Sequence, residues 1–282
     1  MVDTHWIHEH HRESGSAIGY EVVERLHVEE SPYQRIEVFA TRHFGHAMAL
    51  DGCWMLTERE NFIYHEMMTH PALFTHDQPR DVVVIGGGDC GTLREVLKHP
   101  SVQRAVQIEL DERVTRVAEK FFPELTSSNK DSRAEFRFED GIAWMQAAGP
   151  GSADVIIVDS TDPVGPAAGL YDVKFFRTCF ETLREGGILV QQSESPLLHV
   201  DLLKAMRRRL PKAGFDAVRQ LLFPQPCYPS GWWSATMARR GGNFDSFRHK
   251  AAGAIDTRYY NEQIHQAAGV LPAYLAEALR QD

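Results

Sequence analysis

Cysteine is scarce. The four in this 282-residue chain, Cys53, Cys90, Cys179 and Cys227, lie far apart and form no C-x-x-C pair, which excludes a disulfide framework and a zinc knuckle. Long apolar runs are missing too, since nothing approaches the ~20 uninterrupted residues of a membrane helix. Residues 1–13 are rich in His and acid where a secretory signal is basic and then apolar, so a cytoplasmic protein is expected. Basic side chains are outnumbered, 30 Lys and Arg against 39 Asp and Glu, for a net charge of −9. That shortage disfavours nucleic acid and anionic membrane surfaces as partners, and it is compatible with a cationic small molecule. There is no internal repeat and no low-complexity tract. What remains, 43% hydrophobic and 24% charged residues, is enough for one large core and a small second domain.

Short alternating runs at 20–26, 33–39 and 44–50 read as antiparallel strands, with Asp51-Gly52 as a tight hairpin signal before a strand at 53–56. Thr57-Glu58-Arg59-Glu60 has the form of a capping box and predicts a helix over 58–74. The expected division is therefore an N-terminal antiparallel β domain, 1–57, and a second domain, 58–282. In the second, apolar runs at 82–85, 105–110, 135–138, 155–158 and 188–191 alternate with helical segments at 92–99, 112–121, 142–148, 173–184 and 200–210. This alternation predicts an α/β fold, a parallel sheet of crossover units covered on both faces. Segments 217–223 and 232–238 read as a closing strand pair around a Pro-rich loop, and 261–280 as a terminal helix. In open sheets of this kind ligands sit beyond the carboxyl ends of the strands, so the residues there carry the functional reading.

After the first core strand, Gly86, Gly88 and Gly91 satisfy G-x-G-x-x-G, and Glu109 stands at the end of the second strand. Together they form a dinucleotide or nucleoside fingerprint, with glycines for close backbone approach and a carboxylate for the ribose hydroxyls. Asp89 separates the candidate ligands. A carboxylate ~4 Å from a phosphate opposes it by about 4 kcal/mol at an effective dielectric of ~20, which disfavours a pyrophosphate such as that of NAD. A nucleoside with a cationic tail gains by the same arithmetic, and decarboxylated S-adenosylmethionine, which lacks a tail carboxylate, fits best. Asp140 can accept from an adenine amino group or act as a helix N-cap, and Gly141 lets the ring approach. Asp159 and Asp162, on a Pro-stiffened loop after the fourth strand, form with Asp89 an acidic pocket suited to a diamine.

Four separated motifs then fall in a familiar order: Tyr64-His65-Glu66-Met67, Ile85-Gly86-Gly87-Gly88-Asp89, Asp159-Ser160-Thr161-Asp162-Pro163-Val164-Gly165-Pro166, and Tyr259-Tyr260-Asn261 with Ile264-His265 and Leu271-Pro272. From about residue 20 to 279 the chain resembles the spermidine synthases, the polyamine aminopropyltransferases. The resemblance implies a Rossmann-like, methyltransferase-type second domain. It also implies transfer of the aminopropyl group of decarboxylated S-adenosylmethionine to putrescine, with spermidine and 5′-methylthioadenosine as products. Gln34, Glu109, Asp140, Gly141 and Pro166 are thereby expected around the nucleoside, and Asp89 at the aminopropyl amine. His65, Asp159 and Asp162 are expected at the acceptor amine, with Asp159 as proton acceptor, Tyr64 beside it, and Gln192 and Tyr228 lining the acceptor site. No tightly bound cofactor and no metal are expected, only the co-substrate, and the family implies a homodimer or homotetramer.

Two departures stand out. Cys90 replaces the family's usual glycine, and Gln225-Pro226-Cys227-Tyr228 replaces the usual Ile-Pro-Thr-Tyr, which leaves the acceptor open to cadaverine or another amine. On strand alternation only one of Trp232 and Trp233 can face inward. His5, His8, His10 and His11 are expected to be a solvated, flexible end. His65, Glu66 and His70 make an H-E-x-x-x-H run one residue too long for a zinc protease pattern. An S-adenosylmethionine-dependent amine N-methyltransferase is the rival enzyme, disfavoured by Asp89. A non-catalytic polyamine-binding protein has no need of Tyr64 beside Asp159.

Overall fold

The computed structural model describes residues 5–161, 165–248 and 255–280. Strands β1 (His5–His11), β2 (Ser16–Glu30), β3 (Arg35–Thr41), β4 (His46–Leu50) and β5 (Cys53–Thr57) pair antiparallel in sequential order. Asp51 and Gly52 make the predicted hairpin turn, with φ of 50° and 82°, the left-handed pair that matches strand twist in a two-residue loop. β1 corrects the expectation of a flexible His end. Residues 5–11 pair in full register with β2, turning Ile7, Glu9 and His11 inward while His8 and His10 remain exposed.

Helix α1 (Asn61–Thr75) follows without the expected capping box. Thr57 ends β5, and its hydroxyl donates to the Glu60 carboxylate instead of accepting from the helix backbone. Seven strands then form the second sheet: β6 (Asp81–Gly86), β7 (Arg104–Glu109), β8 (Ala134–Phe138), β9 (Ala153–Asp159), β10 (Leu183–Gln192), β11 (Ala217–Pro224) and β12 (Trp232–Arg239), in the order β11-β12-β10-β9-β6-β7-β8. β6 to β10 run parallel, joined through α2 (Gly91–Leu97), α3 (Glu112–Phe121), α4 (Gly141–Ala147) and α5 (Val173–Thr182), while α6 (Val200–Ala213) leads to the antiparallel pair β11 and β12. This is the Rossmann-like arrangement. α1 and α2 cover one face of the sheet, and α5 and α6 pack in the core on the other.

The chain passes from β6 to β7 and β8 on one side, then returns to place β9 on the other, which opens a crevice between β6 and β9. Register puts Gly86 beside Asp159 at that crevice. The predicted terminal helix is instead two short ones, α7 (Glu262–Ala267) and α8 (Ala273–Ala278). Gly269 and Pro272 lie between them, and the ring of Pro272 cannot continue the hydrogen-bond ladder of α7. Among the described residues no helix is long and apolar enough to cross a membrane.

Candidate active site

The glycine loop is built around the side chains it must clear. Gly86 has φ of +81°, and a Cβ there would lie 2.1 Å from the carbonyl oxygen of Asp159. Only glycine therefore lets β6 and β9 end side by side, a contact closed by the Gly87 N–H donating to the same carbonyl at 2.7 Å. A Cβ on Gly91 would come within 2.2 Å of the His65 ring, and one on Gly88 within 2.9 Å of the Glu109 carboxylate. Cys90 takes a left-handed φ of 69°, the conformation that explains why glycine is usual there. Its thiol is buried, and burial pushes it up to about 12, so it is chemically quiet.

Asp159 lies at the centre. Oδ1 accepts from the Tyr64 hydroxyl at 2.6 Å, and Oδ2 from the Thr92 hydroxyl at 2.5 Å. Burial and then the nearby Asp89 charge raise its pKa above the usual aspartate value, against the pull of His65 and the two hydroxyls. Burial and the Asp159 charge also hold the Tyr64 phenol well above its ordinary range, so Tyr64 is a donor and stays one. Asp89 faces His65, with Nε2 3.2 Å from Oδ1, and its Oδ1 accepts from the Gly91 N–H at 2.6 Å. Burial opposes both charges, yet the pairing wins: the imidazole pKa lies above its usual value and the Asp89 carboxyl below.

Glu109 accepts from the Asp111 N–H at 2.8 Å. Burial, reinforced by the Asp111, Asp159 and Asp89 charges, pushes it up to about 7. Gln34, in the turn between β2 and β3, donates to Asp111 at 2.9 Å, which puts it on the Glu109 side of the crevice. Asp140 is the N-cap of α4, accepting from the Ile142 N–H at 2.8 Å, and a Cβ on Gly141 would strike Ile85 at 2.6 Å. Of the two roles expected of Asp140, the helix N-cap is the one its side chain fills here. Asp162 lies outside the described residues, and Pro166 is described only as backbone of a 3₁₀ turn, Gly165–Tyr171.

A cleft opens beside Tyr64, lined by Gln192, Tyr228, Trp233, Trp54 and Glu9 among others. Gln192 donates to the Tyr171 hydroxyl at 2.8 Å, and the Tyr228 hydroxyl to the Met55 carbonyl at 2.8 Å. Trp233, not Trp232, faces inward, with its ring 4.6 Å from that of Tyr228. The loop departures point elsewhere. Cys227 packs into the buried cluster of Tyr20, Phe39 and Trp54, and the buried Gln225 donates to its sulfur at 3.2 Å, so neither is among the cleft-lining side chains. From this loop it is Tyr228 and Pro229 that line the cleft.

Three contributors were not legible in the sequence. Thr92 is one residue beyond the fingerprint, and Glu9 and Trp54 come from the first sheet, where only the inward alternation of β1 and β5 brings them to the cleft. The H-E-x-x-x-H run has a structural use: Glu66 is buried and accepts the backbone N–H groups of Arg258, Tyr259 and Tyr260 at 2.7–2.9 Å, tying down the C-terminal motif. His70 is buried between His99 and Glu95. Among the described residues no group of His, Cys, Asp and Glu is arranged to hold a metal ion.

Residues 5–58 match a family model described as the spermidine synthase tetramerisation domain, and 61–246 one described as the spermine/spermidine synthase domain. The polyamine aminopropyltransferase of Methylococcus capsulatus is 56% identical over 278 residues, covering 98% of this chain and 97% of the relative. That of Xanthomonas campestris pv. campestris is 55% identical over 281 residues, 99% of each. Among solved structures, a spermidine synthase in complex with the transition-state analogue AdoDATO superposes with a TM-score of 0.94 at 33% identity, over 100% of this chain and 98% of that one. The spermidine synthase of Thermotoga maritima gives 0.92 at 33%, over 100% and 97%. With both sheets matched and the crevice residues in family order, the chain belongs to the spermidine synthase family of polyamine aminopropyltransferases, enzymes that take decarboxylated S-adenosylmethionine as co-substrate.

Proposed function

We propose that this enzyme transfers the aminopropyl group to putrescine, with Asp159 as the proton acceptor. The observation that carries this reading is the Asp159 carboxylate itself: of raised proton affinity, gripped by two hydroxyls, and next to a cleft with a second carboxylate, Glu9, on its lining. A primary ammonium with a pKa near 10.4 must lose about 4–5 kcal/mol of protonation free energy to expose its lone pair at pH 7. Asp159 supplies part of that as general base. The proton leaves nitrogen for the carboxylate, the lone pair forms the new C–N bond, and the C–S bond breaks with its electrons on sulfur, releasing neutral methylthioadenosine. Positioning provides much of the remainder.

On the donor side, Glu109 and Gln34 suit the ribose, Asp140 and Gly141 with Pro166 the adenine, and Asp89 the aminopropyl ammonium. On the acceptor side, His65, Gln192 and Tyr228 frame the reacting amine, and Glu9, whose carboxylate is held by the His11 ring at 2.8 Å and the Trp54 backbone N–H at 2.7 Å, suits the distal ammonium of a diamine, a role also expected of Asp162. Division into units 1–57 and 58–282, assembly as a homodimer or homotetramer, and a cytoplasmic location belong to the same proposal, the assembly supported by the tetramerisation-domain match.

The test is product analysis by mass after incubation with decarboxylated or intact S-adenosylmethionine and a panel of putrescine, cadaverine and spermidine. Spermidine with methylthioadenosine from putrescine is the expected outcome. Preferential conversion of cadaverine would overturn the acceptor assignment. Asp159→Asn should lower turnover by about 10²–10⁴ while nucleoside binding persists. Near-normal turnover of that variant would remove Asp159 as the base.

A further inference from the structure

Asp159 is held at both oxygens, and the two holders come from different places. Tyr64, on Oδ1, is part of the cleft wall. Thr92, on Oδ2, is wholly buried in the first turn of α2 and bridges to β9, 67 residues along the chain. Oδ2 is also crowded by the loop backbone, since a Cβ on Gly87 would sit 2.9 Å from it. One oxygen is thus held by a wholly buried hydroxyl and the other by a hydroxyl of the cleft wall, with Ser160, the next residue along the chain, on the cleft lining. A threonine this early in a helix commonly turns its hydroxyl to a local backbone group, so aiming it at a remote carboxylate is a departure from the local default.

We propose that Thr92 is a positioning residue of the transfer reaction, holding Oδ2 so that Asp159 presents Oδ1 to the amine and takes the proton there. The inference rests on the assignment of Asp159 as base. The amine proton passes to Oδ1, nitrogen bonds to the aminopropyl carbon, and sulfur leaves with the C–S pair. The Thr92 hydroxyl keeps donating to Oδ2 throughout, which fixes the rotamer and keeps the resting carboxylate ionised until the amine arrives. Its effect is separable from those of the other groups facing Asp159. These are Tyr64 and His65 on α1, Asp89 on the glycine loop and Glu109 on β7, all of them unchanged when only Thr92 is altered.

The experiment is the pH profile of kcat/KM for the wild type, Thr92→Val and Thr92→Ser, with putrescine and decarboxylated S-adenosylmethionine. Valine keeps the shape and deletes the donor. Loss of a hydrogen bond to an ionised carboxylate should move the acid limb upward by about one pH unit, with a fall in kcat at the plateau, and serine should restore both. Superposable wild-type and valine profiles would overturn the proposal, as would a serine variant that behaves like valine. A buried hydroxyl with only a structural role changes the melting temperature without moving the acid limb. Asp159→Asn assayed alongside keeps the two claims apart. Full activity of that variant refutes the base itself, whereas an inactive Asn variant with an unmoved valine profile refutes only the role of Thr92.

Discussion

Glu109 is a carboxylate whose surroundings oppose its charge, and this has a measurable cost. Burial pushes its pKa up to about 7 in the folded chain from an ordinary value of 4.5. A group with a raised folded pKa makes the native state bind more protons than the unfolded chain between those two values, so its contribution is fully present below pH 4.5 and is lost as pH rises through 7. Integrating the two titrations between pH 5 and pH 8 gives a loss of about 2.5 kcal/mol. Partial solvent contact at Glu109 trims this to about 2 kcal/mol. Glu109→Gln keeps the shape and removes the titration. The stability difference between variant and wild type, measured by urea denaturation without substrates, should therefore shift in favour of Gln by about 2 kcal/mol from pH 5 to pH 8. The same variant should bind methylthioadenosine more weakly, because an amide accepts less strongly than a carboxylate from ribose hydroxyls. A difference that stays flat across this range would refute the claim that Glu109 is a carboxylate whose charge its surroundings oppose.

Gly91→Ala should detach His65 from Asp89, since the added methyl would sit 2.2 Å from the imidazole ring. The expected result is a raised KM for the amine and a loss of about 1–3 kcal/mol of stability, read by steady-state kinetics and thermal melting. Cys227→Thr should leave the putrescine-to-cadaverine selectivity ratio unchanged, because that side chain packs against the buried Tyr20, Phe39 and Trp54 of the first sheet and does not line the cleft. Glu66→Ala would strand three backbone N–H groups at 258–260 and should destabilise the chain by about 3–5 kcal/mol, with local hydrogen-exchange protection lost first in the C-terminal motif.

The parallel core was legible because its central strands, β6 and β9 among them, are buried on both faces and so appear as uninterrupted runs such as Val82 to Ile85, with glycines and carboxylates marking where they end. Asp89, Glu109, Asp140 and Asp159 could be singled out for that reason alone: they stand at strand ends. β1 was not legible. Its His-rich outer face resembles a solvated tail, and its inward alternation of Ile7, Glu9 and His11 acquires meaning only when β2 supplies a partner. The capping box failed because Thr57 was already committed to β5. Likewise, the single terminal helix failed because Gly269 and Pro272 outweighed the surrounding helix formers.

What the amino-acid order determined by itself was the set of local rules: the periodicities, the hairpin at Asp51-Gly52, the glycine fingerprint, and the acids that follow apolar strands. What only the tertiary structure decided was which of those groups meet. Thr92 reaches Asp159 across 67 residues and Tyr64 reaches it across 95. Glu9 joins the same cleft from the far end of the chain. Proton affinity belongs to this second category. It is set by desolvation and by charges a few ångströms away in space, and spacing along a sequence does not encode either.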